Sequence, residues 1–97
     1  MLLGDLVARF DDEVVAAETL LSLGDIGLAA RVREAAAQEG LSAGEYASCA
    51  VQEYSAAATD EEWVTVIGQI GRSDEPGLVL LRRSLMWALM RNPAGNA

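Results

Sequence analysis

The sequence EGLSAGEYASCAVQEY, residues 39–54, contains the end of one helix and the start of the next. Gly40 is typical of the left-handed position that follows a helix, and Leu41 is placed to pack back against that helix. Ser42 and Glu45 have the spacing of a capping box, in which each side chain accepts the backbone N–H of the other residue. The following helix has one apolar face, made by Tyr46, Ala50, Val51 and Tyr54. The stretch therefore predicts two helices joined by a tight turn.

Helical patterns also precede this turn. Asp25 is suited to cap the helix that ends at Gly40, and that helix has an apolar face made by Leu28, Val32, Ala35 and Ala36. Residues 1–17 are predicted to form an N-terminal helix, because apolar residues recur every three or four positions, at Leu3, Leu6, Val7, Phe10, Val14 and Ala17. The segment ETLLSLGD, residues 18–25, leaves two alternatives open. Its leucines either continue the helix to a stop at Gly24 or form a short strand.

Residues 59–91 are predicted to form a C-terminal helical hairpin. Thr59 and Glu62 repeat the capping-box spacing, and Pro76 is suited to the first turn of the last helix. The apolar face of the first of these helices consists of Trp63, Val66, Ile67 and Ile70. The apolar face of the last helix consists of Leu78, Leu81, Leu85, Trp87, Leu89 and Met90. Together the patterns predict a mainly α fold of four to five short helices.

Length and composition limit the classes of protein to which the chain can belong. Its 97 residues, 52% hydrophobic, are expected to form a single small helical domain, 1–97. Fifteen acidic and seven basic residues give a net charge of −8, which disfavours binding to nucleic acid or to anionic membranes. No uncharged run approaches the ~20 residues of a membrane span. Because the chain also has a single cysteine and no secretory signal pattern, we expect a cytoplasmic protein.

The run Leu28 to Tyr54 resembles the two-helix core of the ribbon-helix-helix family of bacterial regulators. The resemblance rests on the glycine turn, the serine cap and the aromatic and aliphatic residues of the second helix: Gly40, Ser42, Glu45, Tyr46, Ala50 and Tyr54. It implies that residues 18–57 form a ribbon-helix-helix-like segment in a homodimer. A short strand at about residues 19–23 would pair with the same strand of a second chain.

The resemblance also implies the residues that would contact DNA or a partner. Alternation along the strand places Glu18, Leu20 and Ser22 on its outward face. The start of the second helix adds backbone N–H groups at Ser42, Ala43 and Gly44. The outward face lacks the basic and amide side chains that bind bases and phosphates. The half of the pattern that forms a dimer therefore survives better than the half that contacts DNA.

The side chains offer little for catalysis. The chain has no histidine, and Cys49 lies in a predicted helix without a nearby base in the sequence, so we expect it to be a half-buried apolar residue. Neither acidic triplet, Asp11 to Glu13 or Asp60 to Glu62, has the spacing of a calcium loop. Trp63 and Trp87 are expected in the core, with a ligand pocket as the alternative. We therefore expect neither an enzyme nor a metal or other cofactor.

Two functions remain open from the sequence. The first is a regulatory or interaction protein, homodimeric, that binds another protein through an acidic or apolar helical surface. The alternative is a DNA-binding regulator or antitoxin-like autorepressor of the ribbon-helix-helix type. The identity of any partner does not follow from the sequence.

Overall fold

The computed structural model describes residues 3–91, and these residues form six helices. Their bounds are α1 Leu3–Arg9, α2 Glu13–Ser22, α3 Ile26–Gln38, α4 Ala43–Ala57, α5 Asp60–Gly71 and α6 Pro76–Arg91. The mainly α prediction is confirmed, whereas the predicted count of four to five helices is too low. The first two residues of the predicted N-terminal helix lie outside the described residues.

Four of the helices begin at a polar side chain that accepts a backbone hydrogen bond. Asp12 caps α2, Asp25 caps α3 and Thr59 caps α5. At α4 the predicted capping box is complete, because Ser42 Oγ accepts the Glu45 N–H at 3.1 Å and Glu45 Oε1 accepts the Ser42 N–H at 2.8 Å. The predicted caps at residues 25, 42 and 59 are confirmed.

The turn between α3 and α4 has the predicted form. Gly40 has a φ of +72°, a left-handed conformation that suits glycine. The Leu41 N–H donates to the Ala36 carbonyl at 2.8 Å, and the Leu41 side chain packs against the core. These contacts satisfy a carbonyl at the end of α3 and fix the angle at which α4 leaves the turn.

Helix α4 lies at the centre of the fold, in contact with α1, α2, α3 and α6. The predicted apolar faces of α3 and α4 are entirely buried. Tyr54 is 0% exposed, and the rings of Trp63 and Trp87 meet it edge-on at centroid distances of 5.9 and 5.8 Å. This aromatic cluster joins α4 to α5 and α6, and edge-on pairs of this kind add to the stabilisation that burial provides.

Residues 19–23 do not form the strand that the family resemblance implied. Residues 13–22 are helical, and the Thr19 hydroxyl donates to the Val15 carbonyl one turn earlier, at 2.7 Å. Ala16 and Leu20 share the buried face of this helix. The helix ends before Gly24, which has a φ of +67°. Residues 3–91 contain no strand, so the interpretation as a ribbon-helix-helix protein is wrong. Helical continuation to the Gly24 stop was the correct alternative for the part of the segment up to Ser22.

The predicted single helix over residues 1–17 is also wrong. The chain breaks between Arg9 and Glu13, because Asp12 adopts an extended conformation and starts a new helix. Phe10 is buried at the break, and its free carbonyl accepts the Ser48 hydroxyl at 2.5 Å. The burial of one large side chain and the cap of the next helix together outweigh continued helical hydrogen bonding.

Helices α2 and α4 are in close contact at Gly44. A Cβ atom at this position would lie 2.5 Å from the Glu13 carbonyl oxygen and 3.2 Å from the Ala17 Cβ. No side chain fits there without moving the α2 backbone. Gly44 therefore has a packing role that its position in the first turn of α4 did not indicate.

Candidate functional site

The six residues selected from the sequence as contacts do not form one surface. Their environments differ: Glu18, Ser22 and Ser42 are exposed, Ala43 is half-buried, and Leu20 and Gly44 are buried. The prediction placed Glu18, Leu20 and Ser22 on one face because side chains alternate along a strand. The described chain has no strand, so this argument does not apply. Ser42 is occupied by the cap of α4. A contact role for any of the six stays a prediction.

A concave surface lies between α5 and α6, with a volume of about 740 Å³. We call it the α5–α6 groove. Its apolar lining consists of Leu23, Leu78, Val79, Met86, Trp87 and Met90. Its polar lining consists of Glu62, Gln69, Ser73, Glu75, Arg82 and Arg83. Concave, mainly apolar surfaces with a few fixed polar groups are typical binding sites.

One side of the groove is a regular stripe on α6. Val79, Arg83, Met86 and Met90 have the spacing i, i+4, i+7 and i+11, so they lie on one face of the helix. Met86 is 40% exposed and Met90 is 74% exposed. A different face of α6, formed by Leu80, Leu81, Ser84, Leu85 and Leu89, is buried in the core. Helix α6 thus has, besides its covered core face, a second face on which three large apolar residues accompany Arg83, and this face is only partly covered.

A charged network fixes the polar part of the groove. Glu62 Oε1 accepts the Tyr54 hydroxyl at 2.6 Å and the Arg83 Nε–H at 2.6 Å. These bonds explain why Glu62 does not complete the predicted capping box with Thr59, although Thr59 Oγ1 still accepts the Glu62 N–H at 3.2 Å. The network ties α4, α5 and α6 together within the groove.

The same network determines the protonation of its members. The hydrogen bond from Arg83 and then that from Tyr54 lower the pKa of Glu62, while the Glu62 hydrogen bond raises the pKa of Arg83. Burial, followed by the hydrogen bond to Glu62, raises the pKa of Tyr54 to about 12. None of these groups therefore exchanges a proton near neutral pH, as a general acid or base would have to.

Both arginines that line the groove are already paired. Arg82 Nη1 lies 3.1 Å from Asp25 Oδ2, and Arg83 is held by Glu62. The Leu28 backbone N–H and then Arg82 lower the pKa of Asp25, so this carboxylate is ionised at neutral pH. The charges that line the middle of the groove are thus neutralised within the chain.

A smaller concave surface of about 390 Å³ includes Cys49, Tyr46 and the carboxylates of Glu39 and Glu53. Cys49 is exposed, which corrects the prediction of a half-buried residue. Desolvation, followed by the nearby Glu53 and Glu39 charges, raises the pKa of the Cys49 thiol. A raised pKa reduces the thiolate fraction at neutral pH and works against a nucleophilic role. Across residues 3–91, no cluster of three or more acidic or cysteine side chains is arranged to hold a metal ion.

The sequence indicated only part of the groove. Trp87 combines the predicted core role with the pocket role kept as its alternative, because it packs against the core and lines the groove. Trp63 is half-buried against Tyr54 and does not line the groove. The apolar periodicity of α6 was recognised in the sequence, but the exposed stripe and the core face were interpreted as a single apolar face. The pairing of Glu62 with Arg83 joins residues 21 positions apart, and only the hairpin geometry brings them together.

Scans against protein-family models, curated proteins and solved structures found no match to this chain. No helix in residues 3–91 has both the length and the apolar character needed to cross a membrane.

Proposed function

We propose that the chain is a protein-interaction module that binds a helix of a partner protein in the α5–α6 groove. The observation that carries the proposal is the second apolar face of α6. A helix that is apolar on both faces is normally buried on both, whereas Met86 and Met90 are 40% and 74% exposed. Covering this face would remove apolar surface from water and so supply binding free energy.

The side chains of the groove suit this role. Methionine is flexible and polarizable, so Met86 and Met90 can adjust to the apolar side chains of a partner. The neighbouring Trp87 ring is held in place by its contact with Tyr54. A fixed aromatic residue beside two adaptable ones provides a defined anchor point within a tolerant surface.

The shape of the groove favours a helix as the occupant. From Val79 to Met90 the stripe covers 11 residue-to-residue steps, which is about 17 Å along a helix axis. An amphipathic helix of three turns has an apolar stripe of the same length, with anchors at i, i+4, i+7 and i+11. A helix also satisfies its own backbone hydrogen bonds, so binding would not leave buried N–H or C=O groups unpaired.

Other functions have less support. The ribbon-type DNA regulator loses its basis, because the described residues include no strand and the arginines lining the groove are already paired. The homodimer stays a prediction, although the ribbon that was expected to form it is not present in the described residues. The cytoplasmic location also stays a prediction. That the chain is not an enzyme also stays a prediction.

Selection from a displayed library of amphipathic helices tests the proposal. Helices selected on the wild-type chain should lose at least tenfold in affinity for Met86→Gln/Met90→Gln. They should keep their affinity within about twofold for the control Val64→Gln/Ile67→Gln, whose side chains are 71% and 54% exposed outside the groove. The tenfold loss corresponds to about 1.4 kcal/mol. This is less than the free energy expected from burying two methionine side chains. Equal losses for both variants, or no selected helix, would refute the proposal.

A further inference from the structure

We infer that the chain forms a homodimer in which the outward side of α5 packs antiparallel against the same side of a second copy. This surface is separate from the α5–α6 groove, so the inference goes beyond the proposed function and does not depend on it. Its basis is that side-chain size and charge both change from one end of the surface to the other, and an antiparallel copy matches both changes.

Helix α5 has three sides, and one of them is covered neither by the core nor by α6. The core side consists of Trp63, Val66 and Ile70, and the groove side includes Glu62 and Gln69. The third side follows the spacing i, i+3, i+4 and i+7, with two further positions at its start and one at its end, so it runs along the whole helix. We call it the α5 outer face, and it consists of Asp60, Glu61, Val64, Ile67, Gly68, Gly71 and Arg72.

The middle of the α5 outer face is apolar and open to solvent. Val64 is 71% exposed and Ile67 is 54% exposed. Residues 63–71 carry no charge at all, on any side of the helix. A helix at a protein surface normally has charged or polar residues opposite its core side, and one that is apolar on both sides is normally covered on both. Association through this face would remove Val64 and Ile67 from water.

The distribution of large and small residues favours a second copy as the partner. The large side chains, Val64 and Ile67, precede the two glycines, Gly68 and Gly71. A Cβ atom added at Gly71 would meet nothing within 4 Å, so the glycine end of the face is open. If two copies pair antiparallel with Glu61 level with Arg72, Val64 of one copy lies between Gly68 and Gly71 of the other. Each large side chain then meets a small one, which allows close packing.

The charges of the α5 outer face follow the same rule. Asp60 and Glu61 lie at its start and Arg72 at its end, and within residues 3–91 none of the three takes part in an ion pair. The Arg72 guanidinium lies on this face, because its Nη1 atom is 3.6 Å from the position that a Cβ of Gly68 would occupy. Glu61 and Val64 line a concave surface of about 610 Å³, which leaves room for an arginine side chain.

An antiparallel arrangement therefore brings Arg72 of each copy to Glu61 of the other, and the two-fold axis forms this pair twice. A parallel arrangement would place like charges side by side and large side chains against large ones. The complementarity of the face with itself is thus specific to one orientation of a second copy.

We expect this dimer to be weak. One face of a three-turn helix is smaller than the roughly 800 Å² per partner of a standard interface. The net charge of −8, with Asp74 only two residues after Arg72, also opposes the approach of two copies. A dissociation constant on the order of 10–100 µM is the expected strength for a contact of this size.

Sedimentation equilibrium of the full chain, from about 5 µM to about 500 µM, tests the inference. The wild type should pass from monomer to dimer over this range, and Val64→Gln/Ile67→Gln should weaken the dimer at least tenfold, because it removes the apolar contact. The control Met86→Gln/Met90→Gln makes the same kind of change in the groove and should leave the dissociation constant within about twofold. Circular dichroism checks that both variants fold. A wild type that stays monomeric, or a dimer abolished by the groove variant instead, would overturn the inference.

An exchange of charges then tests the antiparallel orientation. Glu61→Arg and Arg72→Glu should each weaken the dimer about threefold to tenfold, because each change replaces two symmetry-related ion pairs by like charges. The combined variant Glu61→Arg/Arg72→Glu should return the dissociation constant to within about threefold of the wild type. Glu61→Arg makes the chain less acidic, so general repulsion between copies predicts a stronger dimer for this variant. A stronger dimer with Glu61→Arg, or no recovery in the combined variant, would overturn the arrangement.

Discussion

Replacement of Glu62 by alanine should destabilise the fold far more than replacement of its neighbour Glu61. The change removes the acceptor of the Tyr54 hydroxyl, whose residue is 0% exposed, and the partner of the Arg83 guanidinium. A buried hydroxyl left without a partner costs about 1–3 kcal/mol. Arg83 is half-buried and can turn partly toward water, so it adds less. We expect a difference of about 2 kcal/mol between the two variants.

Glu61 is a matched control for this change. It also lies in the first turn of α5, where a carboxylate stabilises the helix by about 0.3–1 kcal/mol, but it makes no contact with Tyr54 or Arg83. Urea unfolding followed by circular dichroism gives both free energies of unfolding. For a domain of this size the difference corresponds to about 8–16 °C in Tm. Equal stabilities within about 0.5 kcal/mol would show that the network does not stabilise the hairpin, since surface substitutions vary by that much.

Three further predictions concern Tyr54, the glycine pair Gly44 and Gly68, and Ser42. The pKa of Tyr54 is raised from 10.0 to about 12, so its contribution to stability is complete below pH 10 and is lost as pH rises toward 12. Over this interval the urea midpoint should fall more steeply for the wild type than for Tyr54→Phe. Parallel curves of midpoint against pH would contradict the prediction. Gly44→Ala should cost about 1–3 kcal/mol, because its Cβ would lie 2.5 Å from the Glu13 carbonyl oxygen. A Cβ atom at Gly68 would lie 3.6 Å from Arg72 Nη1, an ordinary contact distance, so Gly68→Ala should raise the free energy of unfolding by about 0.5–1 kcal/mol. A change of the same sign for both glycine variants in urea unfolding would refute this account. Ser42→Ala should lower the free energy of unfolding by about 1 kcal/mol through loss of the α4 cap, and an unchanged urea midpoint would show that the cap is dispensable.

The sequence was most informative where independent local signals agreed. At the α3–α4 turn, the glycine at 40, the capping box that starts at Ser42 and the apolar faces on either side all indicated the same geometry. Each signal acts over at most one helical turn, so no distant contact was needed to interpret it. This is why the turn, the caps and the buried faces of α3 and α4 were predicted correctly.

The errors occurred where a distant contact decides between local alternatives. The helix over residues 1–17 was expected to continue because its apolar period does not change at Phe10. The break depends on burial of that side chain and on a hydrogen bond from Ser48, which lies 38 residues away. In the same way, the leucines of residues 19–23 fit either a strand or a helix, and packing of Leu20 in the core decides for the helix.

The groove illustrates a limit of a different kind. Apolar periodicity identifies which face of a helix avoids water, but it does not show whether the chain itself has enough partners to cover that face. In α6 the periods of the core face and of the Val79 to Met90 stripe overlap in the sequence, and together they suggest one broad buried surface. The neighbouring α5 covers only part of it, because its own groove-facing positions include Glu62 and Gln69 instead of large apolar residues. Met86 and Met90 therefore stay exposed for lack of apolar partners within residues 3–91, and a partner that supplies them would complete the packing that the sequence of α6 specifies.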